Sequence, residues 1–174
     1  MDLFDNYLSE NYFNFILKEV GSPFFPWYRS TVLVPEDFLG NPLDNIQFCH
    51  PIFDNPPQGP FIKTKTCELF EDLFKQMGVK ELLSVKLNLN PRHAEIIEHG
   101  YHIDLDWDRK DDSNAKTSIF YLNTNNGYTK FKTSGKKIQS VSNRLVTFNT
   151  NMMHTGTTSN NVDARLVLNI NYFN

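Results

Sequence analysis

The chain has 174 residues, of which 40% are hydrophobic and 21% charged, with a formal net charge of −3 and a pI near 5.9. This length suits one domain around a single core, and the mild acidity argues against a dedicated nucleic-acid binder. No apolar run approaches the roughly 18–20 residues of a spanning helix, so no membrane partner is expected. The start "MDLFDNYLSE" is acidic and lacks the basic opening of an export signal, which points to a cytoplasmic setting. Cys49 and Cys67 are then expected as two reduced thiols rather than a bridge.

The first predicted element is a helix in "SENYFNFILKEVG", with Ser9 as N-cap, Gly21 as its stop and an apolar stripe of Tyr12, Phe13, Phe15, Ile16 and Val20. "GSPFFPWYRSTVLVP" reads as extended chain, and the Pro-rich "GNPLDNIQFCHPIFDNPPQGP" as a long connection. A second helix fits "TKTCELFEDLFKQMG", capped by Thr64 or Thr66 and ended by Gly78. From residue 81 the period changes to two. "LLSVKLNLN", "KTSIFYLN", "GYTKFK", "KIQSV", "RLVTFN" and "RLVLNINYF" read as short strands separated by turn residues. Two N-terminal helices followed by antiparallel strands predict a mainly β sandwich or barrel with helices covering one face. No composition shift marks a domain boundary.

In these strands one face is oily and the other mixed polar. The last strand splits into Leu166, Leu168, Ile170, Tyr172 and Arg165, Val167, Asn169, Asn171. Periodicity alone leaves two readings open: core against solvent, or a barrel with a polar-lined interior. Chemistry favours the second. "GYHIDLDW" places His102 and Asp104 on one face of an expected strand, where imidazole and carboxylate can share a divalent metal. An H-x-D triplet arises by chance roughly one time in three in a chain like this, so a third ligand must come from elsewhere. Of His50, His93, His99 and His154, the last sits best, directly after a strand in "NTNMMHTGTTSNN". Two histidines and one carboxylate leave coordination positions open, as in non-haem Fe(II) oxygenases. A structural zinc site would be closed by four ligands, and neither cysteine is near. Arg165, opening the last strand on its polar face, must be paired if buried, and a carboxylate suits its planar fork.

His102-x-Asp104, His154 and Arg165, in this order, resemble the signature of Fe(II)/2-oxoglutarate-dependent dioxygenases. "IFYLNTNNGYTKF" and "NRLVTFN" resemble the prolyl 4-hydroxylase-like branch, and "FPWYRS", "LNLNPR" and "NYF" look like its small marine bacteriophage-encoded members. The likeness covers residues 81–174 firmly and residues 1–80 loosely. It implies a double-stranded β-helix, a cupin-like jelly-roll barrel, with residues 81–174 as its core and residues 1–80 as a helical and irregular support. Together they form one oxygenase domain, 1–174. His102, Asp104 and His154 would hold Fe(II). Arg165 would clamp the far carboxylate of the cosubstrate 2-oxoglutarate, assisted by Tyr121 and Asn90. The sequence departs from the branch in having Asn90 where a tyrosine is common, and Arg165 where collagen-type enzymes have lysine.

The implied reaction consumes O2 and 2-oxoglutarate, releases succinate and CO2, and hydroxylates an unactivated C–H bond, with ascorbate as reductant. Loops such as "DLDWDRKDDSNAK" cover the site in this family, which singles out Trp107 and Arg109 as substrate contacts. A prolyl residue of a peptide or protein is the first substrate suggested; small metabolites stay open. If the gene is of phage origin, the setting is the host cytoplasm. Two other readings compete: a non-catalytic jelly-roll binding module, and a cupin-type metal enzyme that does not use 2-oxoglutarate.

Overall fold

The computed structural model describes residues 1–32, 41–105 and 114–174, and every structural statement below concerns these residues. The elements in chain order are β1 (Asp2–Phe4), α1 (Glu10–Val20), β2 (Tyr28–Thr31), β3 (Ile46–Asp54), β4 (Ile62–Lys63), α2 (Glu71–Met77), β5 (Glu81–Pro91), β6 (Lys116–Tyr121), β7 (Tyr128–Phe131), β8 (Lys137–Gln139), β9 (Arg144–Asn149), β10 (His154–Gly156) and β11 (Ala164–Phe173). The strands form two antiparallel sheets. The larger runs β1-β9-β6-β11-β5-β3-β2, with β4 beside β3, and the smaller runs β10-β7-β8. No described helix is long and apolar enough to cross a membrane. Cys49 and Cys67 are unpaired.

The alternation read from the sequence sorts the large sheet into two faces. Val85, Leu87, Phe120, Leu122, Leu168, Ile170 and Tyr172 pack against Phe13, Ile16 and Val20 of α1 and Leu73 and Phe74 of α2. Phe13 meets Phe120 edge-on, with ring centres 5.8 Å apart. The opposite face contributes Ile119, Tyr121, Val146 and Val167, which pack on Phe131 and Ile138 of the small sheet. The two sheets thus face each other in a jelly roll, with helices outside and the functional candidates between the sheets. This is the fold class expected.

The structure corrects the expected elements in four places. First, the supposed connection 41–60 contains β3, which pairs with β5. Of its buried positions Gln47, His50 and Ile52, the first two are polar and mask the strand periodicity, and Pro51 is accommodated where the register shifts. The first 80 residues therefore supply β1 to β4 as well as helices, and are more than an irregular support. Second, the helix expected at 64–78 begins as a 3-10 turn over Lys65–Phe70 and becomes α-helical only from Glu71. Third, Ser9 holds the N-cap position of α1 without a side-chain bond, and Gly21 ends the helix with φ −82°; the left-handed stop occurs only at Gly78, with φ 72°. Fourth, residues 100–105 do not form a strand ladder; only His102 bridges, to His154.

Candidate active site

The site is assembled by β10. The backbone N–H of His102 donates to the His154 carbonyl at 2.9 Å, and that of His154 donates to the His102 carbonyl at 3.0 Å. This reciprocal pair sets the two imidazoles side by side, with ring centres 4.9 Å apart. His154 is walled by Phe148 and Phe131, at 4.8 and 6.1 Å. Each ring is also oriented through Nδ1, His102 to the Gly100 carbonyl at 3.1 Å and His154 to the Met152 carbonyl at 3.0 Å. A carbonyl only accepts, so both Nδ1 atoms carry a proton, and in the neutral tautomer that this selects Nε2 is the lone-pair nitrogen. Tying down the second nitrogen of a ligating histidine in this way is the usual support of a metal centre.

Asp104 completes the group. Its Oδ1 lies 3.8 Å from His102 Nε2, and its Oδ2 lies 3.5 Å from His154 Nε2. The candidate ligand atoms of the three residues lie within 4.8 Å of one another. Asn169, from the middle of β11, donates from Nδ2 to Asp104 Oδ1 at 2.9 Å. Oδ2 is buried without a hydrogen-bond partner. Burial alone would push the Asp104 carboxyl up, but His154, His102, Lys86 and the Asn169 bond hold it below the usual carboxylate value. Burial pulls His102 down, against the pull of Asp104. A buried carboxylate whose two oxygens each lie near an imidazole Nε2 is not satisfied by those rings in the tautomer that the carbonyls select. It fits a divalent cation, and two nitrogens with one carboxylate suit Fe(II).

The centre opens into a cavity lined by Gln47, Lys86, Asn88, Asn90, His99 and Arg165 among others. Arg165 and Asn90 are register partners across β11 and β5, which brings both to this interior face. Arg165 is 2% exposed. Its Nε donates to Ser140 Oγ at 2.8 Å and its Nη2 to Thr129 Oγ1 at 3.3 Å, and the guanidinium lies over the Tyr121 ring at 5.6 Å. Burial lowers its affinity for its proton, and Tyr121 opposes this. Among the described residues no carboxylate forms an ion pair with it. Gly127 makes room for its stem: a Cβ there would lie 2.7 Å from Arg165 Cδ and 2.8 Å from the Thr158 carbonyl.

The structure thus brings together His102, Asp104, His154, Arg165 and Asn90. Tyr121 does not line the cavity; its hydroxyl donates to Thr129 Oγ1 at 2.8 Å, so it reaches Arg165 through Thr129 and its ring face. Trp107 and Arg109 lie outside the described residues. His50 is bonded to the Pro26 carbonyl and Thr66, and His93 to Asp44. Sequence reasoning missed Thr129, Ser140 and His99. Thr129 and Ser140 sit in strands and turns with ordinary polar spacing and gave no signal. The sequence offers His99, three residues before His102, only as one of four candidate third ligands, and nothing in its spacing marks it as a cavity-wall residue.

No family model matches the chain, and no curated protein matches it. Solved structures do. A prolyl hydroxylase in complex with a hypoxia inducible factor oxygen degradation domain peptide fragment, from Trichoplax adhaerens, is 14% identical, with a TM-score of 0.65 over 99% of this chain and 82% of that one. HygX from Streptomyces hygroscopicus, with nickel and 2-oxoglutarate bound, is 13% identical, with a TM-score of 0.55 over 98% of this chain and 81% of that one. The non-heme alpha ketoglutarate dependent epimerase SnoN from nogalamycin biosynthesis is 10% identical, with a TM-score of 0.62 over 99% of this chain and 77% of that one. At such identities the likeness establishes the fold alone, the jelly roll that this chain shares with these proteins.

Proposed function

We propose that the chain is an Fe(II)- and 2-oxoglutarate-dependent dioxygenase that hydroxylates an unactivated C–H bond, with residues 1–174 acting as one oxygenase domain. The observation that carries this is the buried Asp104 carboxylate beside two oriented imidazoles, its Oδ2 without a hydrogen-bond partner, with a buried and charge-unmatched Arg165 on the same cavity. His102, Asp104 and His154 hold the metal. Asn169 keeps the Asp104 carboxylate in place. Arg165 fixes the far carboxylate of 2-oxoglutarate, and Asn90 lies beside it to bind the same cosubstrate. Tyr121 orients Thr129 and so positions the clamp. When bound, the iron supplies the oxidation by O2 that converts 2-oxoglutarate to succinate and CO2 and hydroxylates the substrate. The protein contributes an oriented cosubstrate and a largely dry interior.

For the substrate, a prolyl residue in a peptide is supported by the likeness to a prolyl hydroxylase bound to a peptide; the fold is shared with an epimerase as well. The likeness to phage-encoded members rests on the short sequence stretches alone. The test is spectroscopic and chemical. Anaerobic protein mixed with Fe(II) and 2-oxoglutarate should show the weak visible charge-transfer band of the chelate, and air should then produce succinate. Asp104→Ala should give neither. A wild-type protein with no band and no succinate would end this reading.

A further inference from the structure

His99 has no role in the metal centre, yet it is 4% exposed and both its ring nitrogens are buried without a partner. An imidazole always carries at least one N–H, and a buried donor left unsatisfied costs about 1–3 kcal/mol. The position is not accidental slack. The His99 backbone N–H donates to the Gly156 carbonyl at 3.1 Å, and Thr155 Oγ1 donates to the His99 carbonyl. Both anchors belong to β10, and the ring lines the same cavity as Arg165. A Cβ placed on Gly156 would be 3.5 Å from Arg165 Nη1, so His99 is tied to the residue that adjoins the guanidinium.

This end of the cavity offers donors. Thr129 Oγ1 accepts from both Tyr121 and Arg165, which leaves its own proton to give. The Arg165 guanidinium carries five N–H donors, more than its bonds to Ser140, Thr129 and Tyr121 use. We propose that His99 donates an imidazole N–H to the carboxylate of the cosubstrate remote from the metal, completing a recess of donors with Arg165 and Thr129. The inference rests on the oxygenase reading above. A neutral imidazole suits the position, because it adds a donor beside Arg165 without a second buried positive charge. Burial, with Arg165 and His102 nearby, keeps the ring neutral by lowering its pKa to about 4.

Two variants and two keto acids test it. His99→Phe keeps a planar ring of similar size and removes the N–H; His99→Gln keeps an N–H donor. Binding is read anaerobically from the Fe(II) chelate band, with 2-oxoglutarate and with 2-oxopentanoate, which has the same head but a methyl end. His99→Phe should raise half-saturating 2-oxoglutarate ~10-fold and leave 2-oxopentanoate unchanged, while His99→Gln stays within ~3-fold of wild type. Retained 2-oxopentanoate binding shows that the metal centre of each variant is folded. Equal shifts for both acids, or none for either, overturn the assignment of His99 alone. A wild-type protein that gives no band with 2-oxoglutarate overturns the oxygenase reading as well.

Discussion

At the scale of single residues, the site is held by uncompensated burial. Asp104 and Arg165 are both interior charges, and each is hydrogen-bonded by neutral groups: Asn169 for the first, Ser140 and Thr129 for the second. Hydrogen bonds from neutral groups steady a buried charge without cancelling it, which leaves each able to meet a ligand of opposite sign. His99 adds a pH-dependent cost. Its folded pKa is about 4, against an ordinary 6.5. Between these values the unfolded chain binds more protons, so stability falls as pH drops from about 6.5 to about 4, and this group adds no slope on either side. The linked loss is about 3 kcal/mol. His102 is shifted in the same direction, whereas Asp104 is lowered and loses its contribution only at more acidic pH. Urea midpoints of the metal-free protein at pH 7 and pH 4.5 should therefore differ, and His99→Phe should shrink the difference. An unchanged difference in that variant would show that His99 titrates normally.

At the scale of elements, one turn residue joins the N-terminal segment to the jelly roll. Asn143, between β8 and β9, has φ 61°. Its Oδ1 accepts from the Leu8 N–H and its Nδ2 donates to the Leu8 carbonyl, both at 2.9 Å. Asparagine is suited to both demands, since it tolerates the left-handed region and carries a donor and an acceptor. Asn143→Ala should cost about 2–4 kcal/mol, because it strands two buried backbone groups and leaves in the left-handed region a residue without asparagine's tolerance for it. Asn143→Gly relieves only the conformational part and should recover about 1 kcal/mol of that loss in denaturant unfolding. Equal midpoints for wild type and Asn143→Ala would mean that the Leu8 bonds do not stabilise the fold. Much of this scale was legible beforehand. The alternation in "RLVLNINYF" and "KTSIFYLN" assigned Leu168, Ile170 and Phe120 to one face and Arg165, Asn169 and Tyr121 to the other, as the packing shows. β3 was not legible, because Gln47, His50 and Pro51 occupy a strand without a strand's composition.

At the scale of the whole molecule, the proposed metal site joins distant pieces of chain. His102 and Asp104 lie before β6, His154 lies in the small sheet, and Asn169 lies in the centre of the large one. A ion that binds only the folded arrangement stabilises it by mass action, about 2.7 kcal/mol at a hundredfold excess over Kd. Adding Mn(II), a redox-quiet stand-in, should raise the thermal midpoint of the wild type and leave Asp104→Ala unmoved. A rise of the same size in the variant would place the bound ion elsewhere.

The sequence by itself determined which residue types could do this chemistry and which strand face Arg165 and Asn169 occupy. Side-chain alternation is a local property with a period of two, and His-x-Asp, His154 and Arg165 stand out by type and order. It could not determine what His102 and Asp104 sit on, since their expected strand is replaced by a single bridge between His102 and His154. Nor could it separate a loop histidine from a buried one. His99 became a candidate only when the backbone of β10 captured it on the cavity wall. Burial and unmet hydrogen bonds arise from groups far apart in the chain, so they exist only once the two sheets have closed on each other.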